Sequence, residues 1–318
     1  MCAIINLKSA IRNKKSTIKK YSIKMSLINT LKGTGVALVT PFKRNDDIDF
    51  DALGKLIDFV IKGGVEYVVA LGTTGETPTL DKLEKISIVK EVFLKVNGRV
   101  PVVVGIGGNN TKELISDLEA FPLENAAAVL SASPYYNKPS QEGLFQHYTA
   151  LAKASPKPII LYNVPGRTGR NMEPETTIRL ANEVENIAGI KEAGNSIPQI
   201  MKILRDKPKD FLVLSGDDDL VLPELACGID SVISVAANCL PQKFSDMVRA
   251  GLKFDFAKAK TLNDGLMEAY HLLFAENNPA GVKAFLAELG LIENNLRLPL
   301  VPLSSGLQEK VKAYLNTK

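Results

Sequence analysis

From Val36 onward the chain repeats one pattern: a short run of β-branched and other apolar residues that ends in small or polar ones, then a stretch with apolar residues at helical spacing. The apolar runs are Val36–Val39, Tyr67–Leu71, Val102–Val104, Ala127–Leu130, Ile159–Tyr162, Ile187–Ile190, Phe211–Leu214 and Ser231–Val235. Continuous apolar runs suit strands covered on both faces, as in a parallel sheet under helices; a half-wet antiparallel strand would alternate. The intervening segments read as helices. Phe50–Lys62 places Leu53, Leu56, Ile57 and Val60 on one face, with Asp49 as N-cap and Gly63-Gly64 as the stop. Leu80–Val96, Thr111–Ala120 and Glu142–Ala154 behave similarly, and Pro174–Glu185 starts with a proline where a helix tolerates one. Eight such units in a row predict a closed (β/α)8 TIM barrel. The competing architecture is an open doubly wound sheet, which normally has fewer strands and a G-x-G-x-x-G turn after its first strand; this chain has Thr40-Pro41-Phe42 there. After about residue 243 no strand pattern remains, and Phe254–Glu276, Pro279–Glu288 and Gln308–Leu315 read as helices. The expected division is therefore a barrel over 25–243 and a small C-terminal helical cap over 244–318.

Length and composition agree with one barrel plus an appendage: 318 residues, 45% hydrophobic and 23% charged. The formal charge of +4 misleads, because residues 1–24 hold seven basic residues and no acid, leaving the body at −3. No basic face for nucleic acid follows. The tail at 1–24 is expected to be disordered or non-native sequence before a true start at Met25, with a transit peptide as the alternative. Cys2, Cys227 and Cys239 have no metal-ligand spacing and form no even disulfide framework, which points to a reduced, cytoplasmic setting. His147 and His271 lie outside any metal-binding pattern and read as packed or solvated helix residues. No apolar stretch approaches the roughly 18 residues of a membrane span.

In such barrels the chemistry sits where strands end, at the C-terminal face. Lys191 closes the run Asn186–Lys191, so its amine would point among apolar neighbours. Burial disfavours a charged amine, and a neutral one is what carbonyl addition requires. The plain alternative is a lysine that opens the next loop and reaches solvent. Tyr162 ends the preceding strand, within reach of Lys191 if the strands are neighbours; its phenol could move protons or simply pack with a polar tip. Gly72-Thr73-Thr74-Gly75 is a tight turn whose amides could hold a carboxylate, although such turns also serve as plain loops. Arg167, in a loop bent by Pro165 and Gly166, suits bidentate carboxylate binding or faces solvent.

Five motifs together resemble the dihydrodipicolinate synthase/N-acetylneuraminate lyase family of class I aldolases: Gly33-Thr34-Gly35-Val36-Ala37-Leu38-Val39-Thr40-Pro41-Phe42, Gly72-Thr73-Thr74-Gly75-Glu76, Pro134-Tyr135-Tyr136-Asn137-Lys138-Pro139, Tyr162–Gly169 and Gly189-Ile190-Lys191-Glu192-Ala193. The resemblance runs from about Leu31 to the C-terminal helices and implies several roles. Lys191 would form the Schiff base with pyruvate. Tyr162, Thr73 and Tyr136 would relay protons, Tyr136 reaching in from a neighbouring subunit of a homotetramer built as a dimer of dimers. Thr74, Gly216 and Ile233 would surround the pyruvate, and Arg167 would bind the carboxylate of L-aspartate-4-semialdehyde. Arg167 favours the lysine-biosynthesis branch, whose product is 4-hydroxy-tetrahydrodipicolinate, over related pyruvate-dependent aldolases such as N-acetylneuraminate lyase and 2-keto-3-deoxygluconate aldolase. A non-catalytic pyruvate-binding barrel is the alternative of another class. No metal or organic cofactor is implied, because the lysine is the electron sink. The resemblance also implies an L-lysine site at Asn109, Glu113 and Tyr135, with Lys82 and Lys85 at two positions where sensitive relatives carry imidazoles. Two like charges at 4 Å cost about 4 kcal/mol at an effective dielectric near 20. That equals the energy of millimolar binding, about 4 kcal/mol, so weak or absent inhibition by lysine is expected.

Overall fold

The computed structural model describes residues 27–317, so the expectation for the tail at 1–24 lies outside the described residues. Eight parallel strands close into a barrel in sequence order, the last pairing with the first. They are β1 (Gly33–Ala37), β2 (Tyr67–Ala70), β3 (Val102–Gly105), β4 (Ala128–Ala132), β5 (Ile159–Asn163), β6 (Ile187–Glu192), β7 (Leu212–Ser215) and β8 (Ser231–Ser234). Each apolar run of the sequence overlaps one strand, β1 least, since it spans Gly33–Ala37 where the run is Val36–Val39. The ends differ by a few residues because ladder pairing, rather than hydrophobicity, decides where a strand stops.

The helices are α1 (Phe50–Lys62), α2 (Lys82–Val96), α3 (Thr111–Ala120), α4 (Gln141–Ala154), the single turn α5 (Pro165–Thr168), α6 (Pro174–Glu183), α7 (Ile197–Asp206), α8 (Val221–Cys227) and α9 (Pro241–Leu252). Asp49 caps α1 by accepting from the Ala52 amide, as its position predicts. Helix α2 starts two residues later than its apolar pattern, because Asp81 and Glu84 form a capping box. Helix α9 runs across the expected boundary at 243 and packs on β1 and α1 as the barrel's eighth covering helix. The cap follows it: α10 (Phe256–Asp264), α11 (Met267–Phe274), α12 (Ala280–Glu288) and α13 (Ser305–Asn316). The expected single helix over Phe254–Glu276 is thus two helices, parted at Gly265, the C-cap of α10.

Two apolar layers follow from strand alternation. Outward residues such as Val68, Val104, Leu161 and Val213 pack under the helices, while Val69, Val103, Leu130, Ile160 and Leu214 fill the barrel. Leu27 and Leu31 join the inner layer from the N-terminal side. Tyr67 lies across Gly35, where a Cβ would come within 2.1 Å of its ring, and donates its hydroxyl proton to Val232 O at 2.9 Å. This contact fills the barrel beneath β1 and β2, whereas a cavity of about 590 Å³ lined by Pro158, Asn186 and Ala188 opens at the N-terminal ends of β5 and β6. Among the described residues no helix is long and apolar enough to cross a membrane.

Candidate active site

At the C-terminal face a cavity of about 340 Å³ is lined by Thr73, Thr74, Tyr162, Arg167, Lys191 and Gly216, with Gly194, Asn195, Asp217 and Val235 around them. Lys191 and Tyr162 are register partners on β6 and β5. Both are buried, and Nζ of Lys191 lies 4.3 Å from the centre of the Tyr162 ring. The lysine faces inward because of an irregularity. Between Ile159 and Ile160 of β5 the register with β6 jumps from Ile187 to Gly189, a bulge that reverses the phase of the strand. Ile187 and Ile190 both pack outward, and Ala188 and Lys191 both face the interior. Gly216 leaves room for the lysine, since a Cβ there would sit 2.9 Å from Lys191 Cε.

The wall beside Lys191 is acidic. Burial pushes the Asp217 carboxyl up to about 6, with Lys191 opposing. Asp218 is likewise raised to about 6 by burial, and it accepts hydrogen bonds from the Val235 and Ala236 amides at 3.0 and 2.9 Å. The glycine-rich turn is a 3-10 turn at Thr73–Gly75, tied by Thr40 Oγ1 donating to Gly75 O at 2.7 Å.

The cap supplies part of the site, which the sequence did not suggest. Phe274, Asn277 and Asn278 line the cavity. Asn278 Nδ2 donates to Thr74 Oγ1 at 3.0 Å, and Arg167 Nη2 donates to Asn277 Oδ1 at 3.1 Å. The one available signal was the helix break Asn277-Asn278-Pro279, a polar turn inside an otherwise helical segment. Behind the glycine-rich turn, Glu76 and Lys283 form a fully buried ion pair, and Glu76 also accepts from the Arg297 amide at 3.1 Å.

Two residues expected at the pyruvate site and the proton relay are placed differently. Ile233 is fully buried in the inner layer with Ala37, Leu130 and Tyr162, and it does not line the cavity. Strand alternation puts it one level below the rim, where Val235 stands instead. Tyr136 is 89% exposed, has a positive φ of 61°, and does not line the cavity that holds Lys191.

A second cavity of about 610 Å³ shares Thr73, Tyr162 and Arg167 as walls and is bounded by Lys85, Asn109, Glu113, Asp117 and Tyr135. Asn109 holds the Tyr135 backbone at both ends, accepting from its N at 2.8 Å and donating to its O at 2.6 Å. Lys82 stands outside this cavity and pairs with Asp117 Oδ1 at 2.8 Å, which offsets the repulsion expected from its charge. Of the histidines, His147 is packed and its pKa is lowered to about 4 by burial, whereas His271 is exposed.

The chain is similar to known proteins in sequence and in fold. The dihydrodipicolinate synthetase family profile matches residues 30–318. The 4-hydroxy-tetrahydrodipicolinate synthase of Parabacteroides distasonis is 49% identical over 285 residues, which is 90% of this chain and 96% of that protein. Among solved structures, dihydrodipicolinate synthase of Thermotoga maritima superposes with a TM-score of 0.88 at 39% identity, covering 91% of this chain and 98% of that one. A monomeric variant of dihydrodipicolinate synthase also superposes with a TM-score of 0.88 at 39% identity, covering 91% and 97%.

Proposed function

Because the chain belongs to the dihydrodipicolinate synthetase family, we propose that it condenses pyruvate with L-aspartate-4-semialdehyde to 4-hydroxy-tetrahydrodipicolinate through a Schiff base on Lys191. The observation that carries this reading is the buried Lys191 amine against the Tyr162 ring in a cavity that also holds Thr74 and Arg167. The amine adds to the pyruvate ketone, and the carbinolamine loses water to give the imine. Tyr162, whose ring centre lies 4.3 Å from the amine, is the group assigned to pass protons in both steps. The imine acidifies the pyruvate methyl group; loss of a proton gives an enamine, whose carbon attacks the aldehyde of the second substrate. The alkoxide takes up a proton. The substrate's own amine then attacks the imine carbon, closes the ring and releases Lys191. Thr74 and the turn amides suit the pyruvate carboxylate, and the Arg167 guanidinium suits the carboxylate of the aldehyde.

Borohydride with pyruvate is expected to add a stable mass to Lys191 alone. Label on Lys138 or Lys157, or none at all, sinks the mechanism. Supplying a panel of aldehydes to the same preparation tests the acceptor, with turnover expected only for L-aspartate-4-semialdehyde. The exposure of Tyr136 supports a shared site in an oligomer, so sedimentation at assay concentration is expected to show a dimer or tetramer. A fully active monomer would remove the shared-site part of the reading.

A further inference from the structure

Behind the wall formed by Tyr162 and Lys191 lies a polar cluster that this reaction scheme leaves unused. The residues that follow the reacting pair, Asn163 and Glu192, are themselves register partners. Alternation turns them to the outer side of the barrel, where they are 0% and 1% exposed. Asn163 Nδ2 donates to Glu192 Oε1 at 2.7 Å, and Gln199 Nε2 from α7 donates to Oε2 at 3.0 Å. Asn163 Oδ1 accepts from the Met172 amide at 2.9 Å, and its Nδ2 also meets Asn171 Oδ1 at 2.8 Å. Asn171 Nδ2 closes the ring by donating to Gln199 Oε1 at 2.9 Å. Two neighbouring strands, one helix and the far end of the loop bearing Arg167 thus converge on one carboxylate.

Its side-chain partners are neutral amides. Burial lifts the Glu192 carboxyl to about 7, with Gln199 and Asn163 opposing and Asp217 adding to the rise. A buried carboxyl held this way is costly, and a hydrophobic contact would join the strands more cheaply. What the polar network adds is direction. Two acceptor oxygens, held by Asn163 and Gln199 with the Gly194 backbone as a further donor, set the height and rotation of β6 against β5 and α7. Those are the coordinates that place the Lys191 amine over the Tyr162 ring.

We propose that Glu192 is a positioning residue for imine formation. From the outer face of the barrel it fixes Lys191 relative to Tyr162 and, through Asn163 and Asn171, anchors the loop that carries Arg167. The proposal rests on Lys191 and Tyr162 being the reacting pair.

The test, run above about pH 8 where the Glu192 carboxyl is ionised, compares the unaltered protein with E192Q and with the polarity-swapped N163D/E192Q. In E192Q an amide NH2 must face one of the two amide donors. In the double variant the amide introduced at position 192 donates to the carboxylate introduced at position 163 and accepts from Gln199, while Asn171, whose Oδ1 faces position 163 in the unaltered protein, has to rotate away, so recovery is partial. Misplacement by about 1 Å costs roughly 100-fold in turnover. E192Q is therefore expected to lose about that much kcat with the pyruvate KM within about twofold, and the double variant to recover to within about tenfold. Unchanged kcat in E192Q overturns the proposal. So does a double variant that recovers melting temperature but not kcat, because the network would then serve stability alone. If E192Q does not fold, the double variant decides by itself: folded and within about tenfold of full turnover supports the proposal, while folded and slower, or unfolded, overturns it. Failure of the unaltered protein to trap pyruvate at Lys191 defeats the underlying reading and this one with it. Intact trapping together with any overturning result defeats this one only.

Discussion

A Cβ at Gly216 would stand 2.9 Å from Lys191 Cε, 2.9 Å from Glu192 O and 2.6 Å from Ala193 Cβ. Backbone and side chain are both in the way, so Gly216→Ala must displace the lysine stem or the end of β7. A shift on the order of 1 Å is enough to cost about 100-fold in rate. Gly216→Ala is accordingly expected to slow borohydride trapping of pyruvate by roughly 10- to 100-fold while the protein still folds. Trapping at the unaltered rate would show that the site tolerates the methyl group. At this scale Lys191, Tyr162, Thr74 and Arg167 were legible in the sequence because each sits at a strand end or in the loop after one. Asn278 was not, since its partner Thr74 lies 204 residues away and only folding brings them together.

Lys283 shows how elements are joined. It lies on α12, a helix whose other residues are mostly apolar, and its side chain is fully buried against Glu76. Nζ also donates to Asn295 O at 2.8 Å and sits 4.3 Å from the Phe42 ring centre. The pair ties the cap to the turn that carries Thr73 and Thr74. Removing one partner of a buried pair leaves an uncompensated charge and costs about 3–5 kcal/mol. Lys283→Met is expected to lose stability of that order, read as a lower urea midpoint. A midpoint within error of the unaltered protein would mean that Glu76 finds another partner or takes up a proton at little cost. The sequence shows the helix over this segment but not the partner of its lysine, because helix periodicity carries no information about which distant acid a buried amine will meet.

For the whole molecule, the buried carboxyls set a pH dependence. Burial raises Glu224 to about 8, Glu192 to about 7, and Asp217 and Asp218 to about 6. The starting points are 4.5 for the glutamates and 3.8 for the aspartates, so in that interval the folded state holds more protons than the unfolded chain. Stability then falls as pH rises. The contribution is complete below the unfolded values and is lost as pH climbs through about 6 to 8. The melting temperature is expected to fall between about pH 5 and pH 8.5, and Glu224→Gln, which cannot ionise, to flatten that fall while changing little at pH 5. A variant whose profile runs parallel to that of the unaltered protein would place the titration elsewhere.

What the sequence determined alone is the architecture and the roster of strand-end residues. Parallel strands covered on both faces must be apolar without interruption, so eight such runs with helices between them already imply a closed barrel. The direction of the decisive side chain belongs to the tertiary structure. Strict alternation from Ile187 outward and Ala188 inward would turn Ile190 in and Lys191 out. The bulge opposite Ile159 and Ile160 reverses that phase, and Lys191 enters the cavity. A bulge arises from pairing with the neighbouring strands, and at Gly189 from an approach so close that a Cβ would lie 2.7 Å from Leu212 O. The period of one strand read by itself contains neither fact.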